Sequence, residues 1–271
     1  MIGRWWLILI LTGGLCENIL AQYYDTRWRQ PVINPWDLGM ENHYAGVRFT
    51  FARLRYNSER RGRWRIDYPE SDLNFSMRLS EVTTIDVNRD EHGQIVHVVL
   101  DFDDDRLFDY PYVYMVEVGY LELSDFEAER LREYLMRGGF LHVDDFWGPV
   151  EWANWEYQIR KVFPDRERYP IVEIPLTHEI FNCVFKLNEM PQIPSLWTWE
   201  YQRSTSERFG EKAHCRGIFD EQGRLLVVMT YNTDLGDGWE REGENYEYFR
   251  KFSVAGAYPL GINIVVYAMT H

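Results

Sequence analysis

The chain has 271 residues, 45% of them hydrophobic and 27% charged, proportions that exclude both a disordered chain and a many-pass membrane protein. Its length suits one large domain, since single domains commonly run to about 250 residues. The net charge of −14 gives a surface that repels phosphate backbones and argues against a nucleic-acid partner.

Residues 1–21 have the form of a secretory signal peptide: Arg4 beside the amino terminus, an apolar run over 5–11, and a less apolar tail ending in Ala21. The run is shorter than the about 20 apolar residues that span a bilayer. Cleavage after Ala21 is therefore expected, leaving a mature chain without a membrane span in the periplasm or outside the cell. Ile19 is larger than the residue usual three places before a cleavage site, so an uncleaved anchor is the alternative. Export leaves Cys183 and Cys215 where a disulfide can persist, and one bridge or two separately buried thiols fit the sequence equally.

Residues 22–45 are rich in Tyr, Trp, Pro and Asn without periodicity and read as an extended aromatic arm; 46–271 read as the main domain. Alternation from Gly46 (Val47, Phe49, Phe51) predicts a strand, followed by a turn over 57–62. Seven arginines (48, 53, 55, 60, 61, 63, 65) cluster here; they fit a local anion site or, more simply, pairing with the surplus carboxylates. Ser71 or Asp72 is expected to cap a helix carrying Leu73, Phe75, Met77 and Leu79, and TTIDV and IVHVVLDF read as two short strands. Asp103, Asp104 and Asp105 lie at a strand end, where they fit oxygen ligands for a hard cation such as calcium or, more simply, an acidic turn and helix start. A further strand is predicted over 112–118.

Ser124 and Glu127 form a capping box, opening a helix whose Ala128, Leu131 and Leu135 make one buried stripe, stopped by Gly138 and Gly139. Strand GFLHV then delivers Asp144 and Asp145. Pro149 suits the first turn of another helix, with Trp152, Trp155, Ile159 and Val162 on one stripe and an end at Pro164. PIVEIP reads as a strand, HCRGIF and RLLVVMTYN as a hairpin turning near Gln222 and Gly223, and two helices are expected from Tyr246 and from Pro259. Alternating strands and helices predict an α/β fold: a three-layer open sheet, mostly parallel, with a β-hairpin insertion near the carboxyl terminus.

The motifs FTFARLRYN, DYPESDLNF, LFDYPYVYM, LREYLMRGGFLHVDDFWG and YNTDLGDGWE together resemble a bacterial domain-of-unknown-function family, number 4159, over 44–271. The resemblance implies a flavodoxin-like or class I glutamine-amidotransferase-like fold. In amidotransferases a cysteine occupies the sharp turn after a comparable strand, where this chain has Asp144, Asp145 and Phe146. A carboxylate cannot do the thiol's work on an amide, so the resemblance does not carry amidotransferase chemistry with it.

In open α/β sheets ligands bind outside the carboxyl ends of strands, which makes Asp144 and Asp145 candidates for a cation ligand, a general base or a ligand contact. Their plainer role is to cap the following helix or to satisfy loop amides, and neighbours on a strand point to opposite faces. YNTDLGDGWE places Asn232, Asp234, Asp237 and Glu240 in a glycine-containing loop that fits a ligand-facing or a rigid turn and does not meet EF-hand spacing. His178 fits an acid–base role or a packed histidine. Trp147 and Trp239, beside the acidic loops, are the candidates for stacking on a sugar ring, whereas Trp152 and Trp155 read as core. No cofactor and no metal-ligand set is implied. The expected function is an exported domain binding a small molecule or a cell-envelope protein. The alternative is a hydrolase using Asp144 or Asp145 with His178, with or without a cation, on a carbohydrate-type substrate; a glycosidase would need two carboxylates about 5–10 Å apart.

Overall fold

The computed structural model describes residues 48–58 and 62–271. The proposed signal segment, the aromatic arm and Arg60 and Arg61 lie outside them. The strands are β1 (Phe51–Leu54), β2 (Asn57–Ser58), β3 (His97–Leu100), β4 (Tyr112–Val116), β5 (Leu121–Glu122), β6 (Phe140–Phe146), β7 (Ile171–Glu173), β8 (His214–Phe219) and β9 (Leu225–Tyr231). The helices are α1 (Glu70–Val82), α2 (Asp125–Met136), α3 (Gly148–Val162), α4 (Leu235–Glu240) and α5 (Tyr246–Thr270).

Seven strands form one sheet in the order β3-β1-β4-β6-β9-β8-β7. β3, β1, β4, β6 and β9 are mutually parallel, and β8 runs antiparallel to both of its neighbours. Numbered along the chain, the five parallel strands take the order 2-1-3-4-5, which places the topological switch between β1 and β4. The expected hairpin is present as β8–β9, with β9 serving as the fifth parallel strand.

Side-chain alternation sends helices to both faces. On one face Phe75 of α1 packs edge-on to Phe51, and Trp239 of α4 lies against Phe75 and Tyr114. On the other, Trp152 and Trp155 of α3 pack on Phe146. The α2 stripe of Ala128, Leu131 and Leu135 is buried as expected, and the Ser124–Glu127 capping box is formed in both directions. The acidic turn is also as read, with Asp104 capping the 3-10 turn Asp105–Asp109.

Four local expectations are corrected. α1 begins at Glu70 with no side-chain cap; Asp72 is drawn instead into a pair with Arg53, a stronger partner than an orphan amide. TTIDV forms no strand, and Val87 makes only an isolated bridge to Phe49. β4 ends at Val116 because Glu117 turns to φ 56°. The two terminal helices are one, Tyr246–Thr270. A π-helical segment, Phe249–Ala257, precedes Pro259, and a widened turn accommodates the missing proline amide. This helix is apolar enough to cross a membrane by composition, yet 72% of its most apolar window is buried inside the domain, as in a core helix.

Candidate functional site

β4, β6 and β9 end together, and their last side chains build a polar layer on the face of α1 and α4. Asp144, fully buried, accepts from Tyr114 Oη at 2.8 Å, from Thr230 Oγ1 at 2.5 Å and from the Gly236 amide at 3.1 Å. His142, two residues earlier and on the same side, places Nε2 3.0 Å from Thr230 Oγ1 and Nδ1 2.9 Å from Tyr112 Oη. The Thr230 hydroxyl has one hydrogen, taken by the Asp144 carboxylate at 2.5 Å or the Val143 carbonyl at 3.0 Å; either way Nε2 of His142 carries the ring proton and Nδ1 accepts. Burial holds His142 neutral, with its pKa down at about 3, and pushes Asp144 up to about 6 against the pull of its hydrogen-bond donors.

Asp145 lies on a bulge between Val143 and Phe146, with φ 49°. A left-handed backbone is costly outside glycine and marks places where a strand is being redirected. Its Oδ1 accepts from Trp147 Nε1 at 2.8 Å. Burial, reinforced by Glu117, raises its pKa well above the usual carboxylate range. Glu117, also left-handed and buried, is paired by Arg63 and by Arg208, and Arg208 reaches Glu151 as well. Arg208 thus fastens the segment around 206–210 over the turn from β6 to α3. The contact is close: a Cβ on Gly148 would stand 2.4 Å from the Arg208 carbonyl oxygen.

The 232–240 loop is a structural turn with a second use. Asn232 Oδ1 accepts from the Gly148 amide at 2.8 Å, serving the start of α3, and Asp234 caps α4 by accepting from the Asp237 amide at 2.7 Å. Burial and neighbouring carboxylates raise Asp234 well above its ordinary value. Asp237 and Glu240, one turn apart on α4, face Asp67, and the three carboxylates can each offer an oxygen within 4.8 Å of the others. Among the described residues these three are a group of carboxylates drawn into ligand range of one another, and Asp144 and Asp145 are not part of it.

The remaining candidates separate. His178 caps the turn at Glu179 and packs on Phe219 and Tyr267, beside the amino end of β9. Asp144 sits at the other end of the strands, about 20 Å away at the rise of a seven-residue strand. Trp147 and Trp239 are 1% and 0% exposed, so neither presents a face to a sugar. Cys183 and Cys215 are free thiols, and burial raises both above the usual thiol range.

A cleft of about 840 Å³ opens at the carboxyl ends of β1 and β3, lined by Arg55, Tyr56, Trp64, Asp101, Ser124 and Glu127 among others. Arg55 pairs with Asp101 across it. Most of the described arginines of the cluster are paired in this way: Arg48 with Asp86, Arg53 with Asp72 and Arg63 with Glu117.

Residues 50–269 match DUF4159, a domain of unknown function. The chain belongs to that family. No curated protein matches it. Three polar residues at the carboxyl edge of the sheet in this DUF4159 domain were not legible as site residues: Asp67, Glu117 and Arg208. Each is a single charged residue in a turn, and only the Asp-Tyr-Pro context of Asp67 fell within a motif. The signal that could have singled out Glu117 is its position directly after an apolar strand, the same argument that singled out Asp144.

Proposed function

We propose that this DUF4159 domain is an exported binding module that takes a small polar ligand in the cleft at the carboxyl ends of β1 and β3. The observation that carries this reading is the cleft itself. Its volume of about 840 Å³ falls within the range of small-molecule sites, and it borders the switch point of the sheet. Its lining mixes Arg55, Asp101 and Glu127 with the Tyr56 and Trp64 rings, a combination suited to polyols, sugars or zwitterions. The signal form of residues 1–21 supports export.

The position of Asp145, on the bulge at the carboxyl end of β6 just before α3, supports relating the fold to the amidotransferase-like group with a carboxylate where the cysteine would be. Hydrolysis by Asp144 or Asp145 with His178 has less support. Asp144 is occupied by three donors, Asp145 by the Trp147 indole, and His178 packs at the far end of β9.

The test is a thermal-shift and NMR screen of the purified domain against neutral sugars, polyols and amino acids, repeated with Arg55→Ala. A ligand that raises the Tm of the native chain, moves the Trp64 indole resonance and loses affinity in Arg55→Ala is the expected result. A panel that leaves that resonance unmoved, or binding that ignores Arg55, would sink the reading.

A further inference from the structure

Asp67, Asp237 and Glu240 make a group whose charge is unmatched. Asp67 is 8% exposed, and its Oδ2 has no hydrogen-bond partner among the described residues. Arg53 is the nearest cation by its electrostatic effect on Asp67, yet its five guanidinium hydrogens are all engaged. They go to the two oxygens of Asp72, to Ser71 Oγ and to the carbonyls of Trp64 and Ile66. On the other side Arg241 is shared, at 3.3 Å from Asp237 Oδ1 and 2.7 Å from Glu240 Oε2. Arg241 also reaches Glu244, so three ionised carboxylates here would outnumber their cations by at least two in a largely buried place, where unpaired charge is expensive.

We propose that Asp67, Asp237 and Glu240 bind one hard divalent cation of the calcium, magnesium or manganese class. The donors are all carboxylate oxygens, with no imidazole or thiolate among them, which selects hard cations over zinc or copper. Their oxygens lie within 4.8 Å of one another. Two oxygens on opposite sides of one ion at about 2.4 Å are separated by about that distance, and three oxygens all at that limit stand about 2.8 Å from a common centre, within a small side-chain adjustment of one ion. Asp237 keeps capacity for it, since its Oδ1 accepts only the long Arg241 contact. The elements are set from different parts of the chain. Asp67 projects from a turn at φ 63°, and Gly236 lacks the Cβ that would meet Asp67 Oδ2 at 2.4 Å. The raised pKa values of Asp67, Asp237 and Glu240, the last at about 7, come first from burial and then, for Asp67, from its acidic neighbours. A bound cation reverses that tendency.

This group and the cleft at β1 and β3 use different residues, so failure of either test leaves the other standing. The experiment is calorimetric titration of the chelator-treated full chain with CaCl₂, MgCl₂ and MnCl₂ in turn, with thermal melts before and after EDTA. One equivalent bound, with a Tm rise that EDTA reverses, is expected for at least one ion. Asp67→Asn and Glu240→Gln should each weaken that binding by at least about tenfold, because affinity follows ligand charge count. A second readout needs no variant: Tb³⁺ lifetimes on the native chain in H₂O and D₂O count the inner-sphere waters displaced. Loss of at least three, competed by calcium, supports the site. Absence of saturable binding by all three ions, unchanged binding in both variants, or displacement of fewer waters would overturn it.

Discussion

Thr230 and Asp144, side by side on β9 and β6, are joined by a hydroxyl-to-carboxylate hydrogen bond of 2.5 Å at the carboxyl edge of the sheet. The bond explains why an aspartate stands in the core without an arginine: three donors converge on it, from β4, β9 and the start of α4. Asp144 ties three elements together where a ligand-facing acid was expected.

Truncating that acid should therefore cost folding stability. Asp144→Ala strands the Tyr114 and Thr230 hydroxyls and the Gly236 amide and is expected to lose about 3 kcal/mol, whereas Asp144→Asn keeps the shape and misdirects one donor, at about 1 kcal/mol. Urea unfolding measures both. Equal losses in the two variants would show that the side chain is not serving as the shared acceptor.

His142 sets a pH dependence of known sign. Its folded pKa is depressed to about 3 from an ordinary 6.5 by burial, so its contribution is complete above the ordinary value and is lost as pH falls toward the folded one. In that window the unfolded chain binds a proton that the folded chain refuses, a slope of up to about 1.4 kcal/mol per pH unit. His142→Gln should show a correspondingly shallower fall in unfolding free energy between about pH 6 and about pH 4.5. Parallel slopes would mean that His142 protonates inside the fold.

Arg53 and Asp72 are a fully buried pair. Arg53→Lys keeps the charge but cannot make five directed bonds, so Asp72, Ser71 and two carbonyls lose partners. A loss of about 3–5 kcal/mol is expected, the size seen when one member of a buried pair is removed. Arg55→Lys, at a half-exposed pair, should cost less than about 1 kcal/mol. The comparison of the two by chemical denaturation checks that burial sets the difference.

Gly148 combines φ 69° with the near approach of the Arg208 carbonyl. Gly148→Ala should destabilise by about 2–4 kcal/mol through backbone strain and displacement of the 206–210 segment. Hydrogen exchange at the Gly210 amide, which donates to Glu207, should quicken. A variant with native stability and unchanged exchange would show that this segment is not packed against the turn.

The fold was legible because it rests on local patterns. The capping box at Ser124 and Glu127, the α2 stripe and the hairpin turn at 220–224 each depend on residues within a few positions of one another, and each formed as read. Local reading failed where a distant partner prevailed: Asp72 left its capping role for Arg53, 19 residues away, and the helix through Pro259 continued because 72% of its most apolar window is buried. The site was half legible for the same reason. Its place followed from strands ending in acids, but the grouping did not, since Asp67 meets Asp237 and Glu240 across some 170 residues of chain.

The sequence by itself determined the α/β class, the alternation of elements and the end of the sheet where polar residues gather, because periodicity and capping are near-neighbour effects. Only the tertiary structure decided which acids are satisfied and which are not. Asp144 and Asp145 found donors, His178 went to the opposite end, and Asp67 was left with an oxygen without a donor among the described residues. Hydrogen-bond satisfaction and charge balance are summed over whatever the fold brings within a few ångströms, and that sum is not written along the chain.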